Sequence, residues 1–188
     1  MKTILASIEA FGITMKEVNE ADLPLVHKWR NHPENLPFMS KPVPISLHAL
    51  QIWLDKVRSD HSSLPFIVSF RAVPVAFMEI KNIDWQNSCA EGGMFLFGSH
   101  LAGTGISLRT ALAREFLLQM AGLDILISRI NIINEKSKKF CKSFGARYCG
   151  TEKEFDIYIS DSSMRLHGLK RIAAAIKCED EFLEKFSA

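Results

Sequence analysis

The sequence predicts a mixed α/β fold, one sheet layer with helices on both faces, and three observations support it. Residues 66–70 and 73–80 are apolar, β-rich runs joined by a short turn, the pattern of an antiparallel hairpin. Residues 89–97, 103–123 and 125–132 read as strand, long amphipathic helix and strand, a right-handed crossover that makes its two strands parallel. At 188 residues and 47% hydrophobic, the chain can bury one core without disulfides or metal.

The elements follow in order. Residues 13–18 alternate as a first strand, and Glu20, Ala21 and Asp22 open a helix through Leu23, Val26, His27 and Arg30, with acids where a helix N-terminus favours them. Four prolines make 31–44 a loop. Ser46 is a suitable N-cap for a second helix, which sets Leu50, Trp53, Leu54 and Val57 at helical spacing and ends near Ser59 and Asp60. The long helix carries Ile106, Leu108, Leu112, Phe116, Leu117 and Met120, and Gly122 closes it. Asn134 caps a short helix through Ser137, Phe140 and Cys141, Gly145 terminates it, and 147–151 and 155–160 are two further strands. From about 164 to 188 the chain is a helical extension of a single domain spanning 1–188. Leu169, Ile172, Ala173, Ile176, Leu183 and Phe186 share one face of it, which packs back on the sheet or pairs with a second copy in a homodimer.

A net charge of +2 argues against nucleic acid as the main partner. No stretch approaches the roughly 20 apolar residues of a membrane span, so no membrane role is expected. The four cysteines contain no Cys-x-x-Cys pair, and Glu9 interrupts the early apolar residues before a signal-length run develops, which reads as a reducing, cytoplasmic setting. The six histidines lack ligand spacing, and no metal is expected.

The loop between the 89–97 strand and the long helix holds Gly98, Gly103 and Gly105. Glycines let an anion approach the backbone, and a helix N-terminus presents unpaired N–H groups with partial positive charge, so a pyrophosphate is the natural guest. Alone, such glycines often only make a turn. The loop reads His100-x-x-Gly103-x-Gly105, and one strand later come Asn134-x-x-Ser137-x-x-Phe140 and Gly145. In these motifs and their spacing the chain resembles the GNAT acetyltransferase superfamily, from about residue 13 to 151. The resemblance implies a mostly antiparallel mixed sheet whose parallel pair splays to hold acetyl-CoA. It further implies phosphate binding by His100, Leu101, Ala102, Gly103, Thr104 and Gly105, pantetheine contacts to the backbone near Phe95 and Phe97, and support from Asn134 and Ser137. His100 stands where the superfamily has Gln or Arg.

His27-Lys-Trp29-Arg30-Asn31-His32-Pro33 is similar to a Trp-Arg-Asn-x-Pro segment of amino-sugar N-acetyltransferases, and more loosely to N-terminal acetyltransferases of ribosomal proteins. The first likeness implies a small-molecule amine acceptor on a nucleotide-linked sugar, contacted by Trp29, Arg30 and His32. The structural alternative makes Trp29 a core aromatic and Arg30 a helix C-terminal cation. A weak acyl-CoA-binding module is the third reading.

Acetyl transfer to an amine needs a base, a polarised carbonyl and a proton for the leaving thiolate. Glu91, in the strand expected to bind the thioester, is the candidate base, with Glu79 and Asp84 able to reach the same cleft. Cys141 occupies the place where relatives commonly have a tyrosine acid. A thiol can protonate a leaving thiolate, yet free cysteine is also among the most buried residue types. Lys136, Lys138, Lys139 and Lys142 crowd the short helix, as a solvated face or with one or two on a phosphate.

Overall fold

Ser7–Ala10 (β1) and Ile13–Glu17 (β2) form a hairpin around Phe11 and Gly12, both at positive φ (56° and 71°). The structure is a computed structural model that describes residues 7–60 and 62–186. β1 is a strand absent from the sequence reading. It is only four residues long and buries just Ile8 and Ala10, too short an alternation to stand out.

Asn19 and Asp22 form a reciprocal capping box that turns the chain into Leu23–Arg30 (α1). The proline-rich loop contains one helical turn at Leu36–Phe38. The Ser46 hydroxyl then accepts from the Ala49 N–H (3.1 Å) at the start of Leu47–Asp60 (α2), as its cap role predicts. Ser63–Phe70 (β3), Val73–Asp84 (β4) and Cys89–Leu96 (β5) make an antiparallel meander. Ile106–Ala121 (α3) crosses over to Ile125–Asn131 (β6), which pairs parallel with β5. Glu135–Ser143 (α4), Arg147–Glu152 (β7) and Phe155–Ser160 (β8) follow. The sheet order is β1-β2-β3-β4-β5-β6-β8-β7, and β5/β6 is its parallel neighbour pair.

Alternation along the strands divides the interior in two. Met15, Phe66, Val68, Ala76, Met78 and Ile80 face α3, whereas Ile67, Phe77 and Phe97 lie under Val26 of α1 and Leu50 and Leu54 of α2. The sheet is thus covered on both faces.

The C-terminal extension is two helices, not one continuous face: Ser162–Ala175 (α5), capped by Asp161, and Glu179–Phe186 (α6). Lys177 at φ 56° and the Cys178 N–H to Ala173 carbonyl bond (2.9 Å) break the helix between them. Both helices join the α3 side of the core through Leu169, Ala173 and Phe182. Arg165 and Glu115, each 1% exposed, fasten α5 to α3: Nε donates to Oε2 (2.5 Å), one terminal nitrogen to Oε1 (3.2 Å) and the other to the Ser160 carbonyl (2.7 Å). Phe186 stacks on Phe11, and Glu181 accepts the Phe11 N–H.

Candidate active site

The parallel ladder between β5 and β6 contains three residue pairs, Cys89 with Ile125, Ala90 with Leu126 and Glu91 with Ile127, although the strands run on to Leu96 and Asn131. Beyond Glu91 the strands part and leave one edge of β5 open. The Phe97 N–H donates to the Val75 carbonyl of β4 (2.8 Å). Antiparallel alternation therefore aims the backbone groups of Phe95 and Phe97 at β4 and those of Gly92, Met94 and Leu96 at the open edge. This moves the backbone contacts expected near Phe95 and Phe97 by one residue. The Leu96 carbonyl already accepts from Asn35 (3.1 Å), so the backbone of Gly92 and Met94 and the Leu96 N–H are the groups aimed at the open edge.

The glycine loop follows at once. Gly103 and Gly105 adopt φ 79° and 81°, a region that favours glycine, and a Cβ at either would meet nothing within 4 Å. Their role is backbone geometry beside open space at the start of α3, where the first N–H groups have no intrahelical partner. The Thr104 hydroxyl donates to the Leu101 carbonyl (2.7 Å), which shapes the turn. His100 lies elsewhere. A Cβ on Gly98 (φ 123°) would sit 2.6 Å from the His100 ring and 3.3 Å from Trp29, so the imidazole is folded back over Gly98 toward the α1 side. Its ring shapes that corner, which leaves the cradle to the backbone.

Glu34 ties this corner to the proline-rich loop: its two carboxylate oxygens accept from the Ser99 N–H and hydroxyl, each at 2.8 Å. Those bonds hold the Glu34 carboxyl below the usual carboxylate range. Trp29 stacks on Phe97 (5.8 Å, 9°) and against His32 (4.9 Å). Arg30 donates to the carbonyls of Val43 (2.9 Å) and Lys41 (2.6 Å), and Asn31 exchanges two hydrogen bonds with the backbone of Ile45 (2.9 and 3.0 Å). The Arg30 and Asn31 side chains thus latch the proline-rich loop that follows α1.

On the α1–α2 face of the sheet an aromatic row runs Trp53, Phe77, Phe95, Phe97, Trp29, with consecutive ring centroids 6.1, 5.1, 6.1 and 5.8 Å apart. Glu79 lies on this face opposite Gly93, where a Cβ would meet nothing within 4 Å. Ser63 donates its hydroxyl to Glu79 (2.6 Å). Burial raises the Glu79 pKa above the ordinary carboxylate value, nearby Glu91 adds to the rise, and Ser63, Lys81 and the Trp53 indole oppose it. Glu91 itself is held on both oxygens, by Lys81 (3.1 Å) and by the Asn82 amide (3.0 Å). Asp84 is half-buried and accepts from Gln86 and Asn87. Glu79, which the sequence offered only as an alternative to Glu91, is thus the carboxylate of the three whose pKa burial raises, a placement set by cross-strand register that the sequence does not display.

On the other side of the cleft Asn134 caps α4 through the Ser137 N–H (3.1 Å), so this pair sets the helix. Cys141 is half-buried on α4, its pKa pushed up by burial and opposed by the Ser128 hydroxyl and Arg114. Lys138 is committed to Glu135 (2.9 Å), Asp156 (2.8 Å) and the Ile132 carbonyl (2.5 Å). Among the described residues no group of three or more His, Cys, Asp or Glu side chains could hold a metal ion, and no helix is long and apolar enough to cross a membrane.

A family model for an acetyltransferase (GNAT) domain matches residues 18–104, from α1 to the glycine loop. No curated protein matches the chain. Among solved structures it is similar to spermidine N-acetyltransferase from Vibrio cholerae in complex with CoA and spermine (15% identity, 82% of this chain and 98% of that one, TM-score 0.72). It is similar to AAC(6')-Ib in complex with paromomycin and acetyl-CoA (14%, 81% and 95%, TM-score 0.70) and to Mycobacterium smegmatis RimJ in complex with CoA-disulfide (15%, 91% and 92%, TM-score 0.72). The protein has the GNAT fold, with the one open parallel pair that this fold carries.

Proposed function

We propose that the protein transfers an acetyl group from acetyl-CoA to a primary amine, and that the amine belongs to a nucleotide-linked amino sugar. The observation that carries the reading is the parting of β5 from β6 after Glu91, beside the glycine loop that opens α3. The backbone of 101–105 and the first turn of α3 suit a pyrophosphate, and the open edge at Gly92 and Met94 suits pantetheine amides and the thioester oxygen. When bound, acetyl-CoA supplies the activated acetyl group.

The residues of the chain divide the remaining work. Glu79, whose raised pKa makes it a stronger base than an ordinary carboxylate, takes the proton of the attacking amine. Glu91, gripped by Lys81 and Asn82, fixes the end of the ladder and adds negative charge beside Glu79. Cys141 stays a protonated thiol at neutral pH and serves as hydrogen donor to the leaving sulfur, with Asn134 and Ser137 setting its helix. The aromatic row offers flat apolar faces to a sugar ring or base, and Trp29 and His32 border it. The likeness of the Trp29-Arg30-Asn31 segment to amino-sugar enzymes supports that acceptor. Dependence on acetyl-CoA and free thiols fits a cytoplasmic protein.

The test is thiol release from acetyl-CoA with a UDP-4-amino sugar set against a panel of peptides. Release with the sugar is expected. Release with peptides alone overturns the acceptor, and CoA binding without turnover on any amine overturns transfer.

A further inference from the structure

Three elements converge where the parallel ladder ends. Ser128 is the first residue of β6 beyond the last pair, Glu91 with Ile127, and it is buried on the same side as Leu126 and Ile130. Cys141 on α4 lies near it, and the Ser128 hydroxyl opposes the rise that burial gives the thiol's pKa. Arg114 comes from α3 and interacts electrostatically with Cys141. Its Nε is sealed from solvent without a hydrogen-bond partner, the one such side-chain nitrogen or oxygen among the described residues. The neighbouring carboxylate, Glu115, is consumed by Arg165, and Arg165 adds a like charge.

Arg114 is partly exposed as a residue, but a sealed guanidinium nitrogen with an unmade hydrogen bond costs stability in the free protein, and an anion at the same place would reduce that cost. Pyrophosphate at the glycine loop is too far away. Nine residues separate Gly105 from Arg114, about 13 Å along the helix at 1.5 Å per residue. The far end of an extended pantetheine arm, lying along the open edge of β5, ends in sulfur.

We propose that Arg114 is the electrostatic partner of the thiolate that departs when the acetyl group is transferred. The proposal rests on acetyl-CoA being the donor. In the step, the amine nitrogen forms a bond to the acetyl carbon and the carbon–sulfur bond breaks. The amine proton passes to Glu79, and the electron pair leaves on sulfur, where the Arg114 charge and the Cys141 hydrogen face it. Cys141 keeps its own proton in this step, so charge and atoms balance with CoA released as thiolate.

The test compares the parent protein with Arg114→Met and Arg114→Lys. CoA affinity is measured by calorimetry, and the bound thiol is titrated by its ultraviolet thiolate absorbance with desulfo-CoA as blank. The parent should hold the bound thiol about one pKa unit lower than Arg114→Met does, a tenfold difference in thiolate fraction, with Arg114→Lys restoring part of it. The Met variant should keep its CoA affinity, lose about tenfold in kcat and melt no lower than the parent. Arg114→Gln serves the same comparison should the Met variant fail to fold. An unchanged thiol titration in a variant that binds CoA overturns the Arg114 assignment alone. Absence of CoA binding to the parent overturns the donor reading, and the assignment with it.

Discussion

Replacing Glu115 by Leu strips Arg165 of its carboxylate while Arg165 stays 1% exposed. Two of the three hydrogen bonds on that guanidinium disappear, at 2.5 and 3.2 Å, and the Ser160 carbonyl alone remains. Breaking a buried ion pair from one side costs about 3–5 kcal/mol, because the orphaned charge keeps its desolvation penalty. A domain of ordinary stability has roughly 5–15 kcal/mol in total, so the variant should be marginal. With a urea m-value of about 2 kcal/mol/M, the midpoint should fall by about 2 M. The companion is Glu115→Leu with Arg165→Met, which removes both charges and fills the space with apolar atoms. It should recover most of the loss, giving a double-mutant coupling of several kcal/mol. A single variant within about 1 kcal/mol of the parent, or a double variant no better than the single, would refute the view that this pair fastens α5 to α3.

Three further outcomes follow from the site. Glu79→Gln should abolish most turnover, and in the parent the acid limb of kcat/KM should lie above the ordinary Glu range. Because burial raises the Glu79 pKa, the folded state holds its proton longer than the unfolded state, so stability falls as pH rises from the unfolded to the folded pKa. Denaturation curves of Glu79→Gln should therefore show a gain over the parent at neutral pH and none in acid. Gly98→Ala forces a φ of 123° on alanine and a contact of 2.6 Å with His100, and should cost roughly 1–3 kcal/mol, read as a melting temperature several degrees lower. Glu34→Ala removes an exposed tie to Ser99. It should leave the melting temperature unchanged and weaken CoA binding severalfold in calorimetry, and unchanged affinity would mean the tie is idle.

Element order was readable wherever side chains announce it. Ser46 and Asn134 cap helices as their chemistry suggests, Gly122 ends α3, and the strand–helix–strand pattern delivers the parallel pair. The break at Lys177 was not readable, since Ile172, Ala173 and Ile176 continue the helical period up to it. Site residues divide the same way. The glycines of the loop lie where the motif puts them, because their backbone angles require glycine. Glu79 could not be ranked above Glu91 without the register that sets it opposite Gly93 and leaves Lys81 on Glu91. Arg30 looked like a ligand for an anion, yet its partners are two main-chain carbonyls, which leave no trace in side-chain identity. Arg114 reads as one more polar position on a helix until the fold seals its Nε without a partner and brings Cys141 of α4 near its charge.

The contact between Phe11 and α6 has a consequence for how the chain acquires its shape. Glu181 accepts from the Phe11 N–H across 170 residues of sequence, and the Phe186 ring covers the same turn. Arg109 adds a bond to the Phe11 carbonyl (3.0 Å), so this early turn depends on partners that follow it late in the chain. During synthesis the first hairpin emerges long before its cover, with Phe11 waiting in water. Loop closure over such a span is slow, and the exposed ring and open strand edge are the features that invite association between chains in the interval. Refolding should accordingly be slower, and more sensitive to protein concentration, than the local helices and meander would suggest.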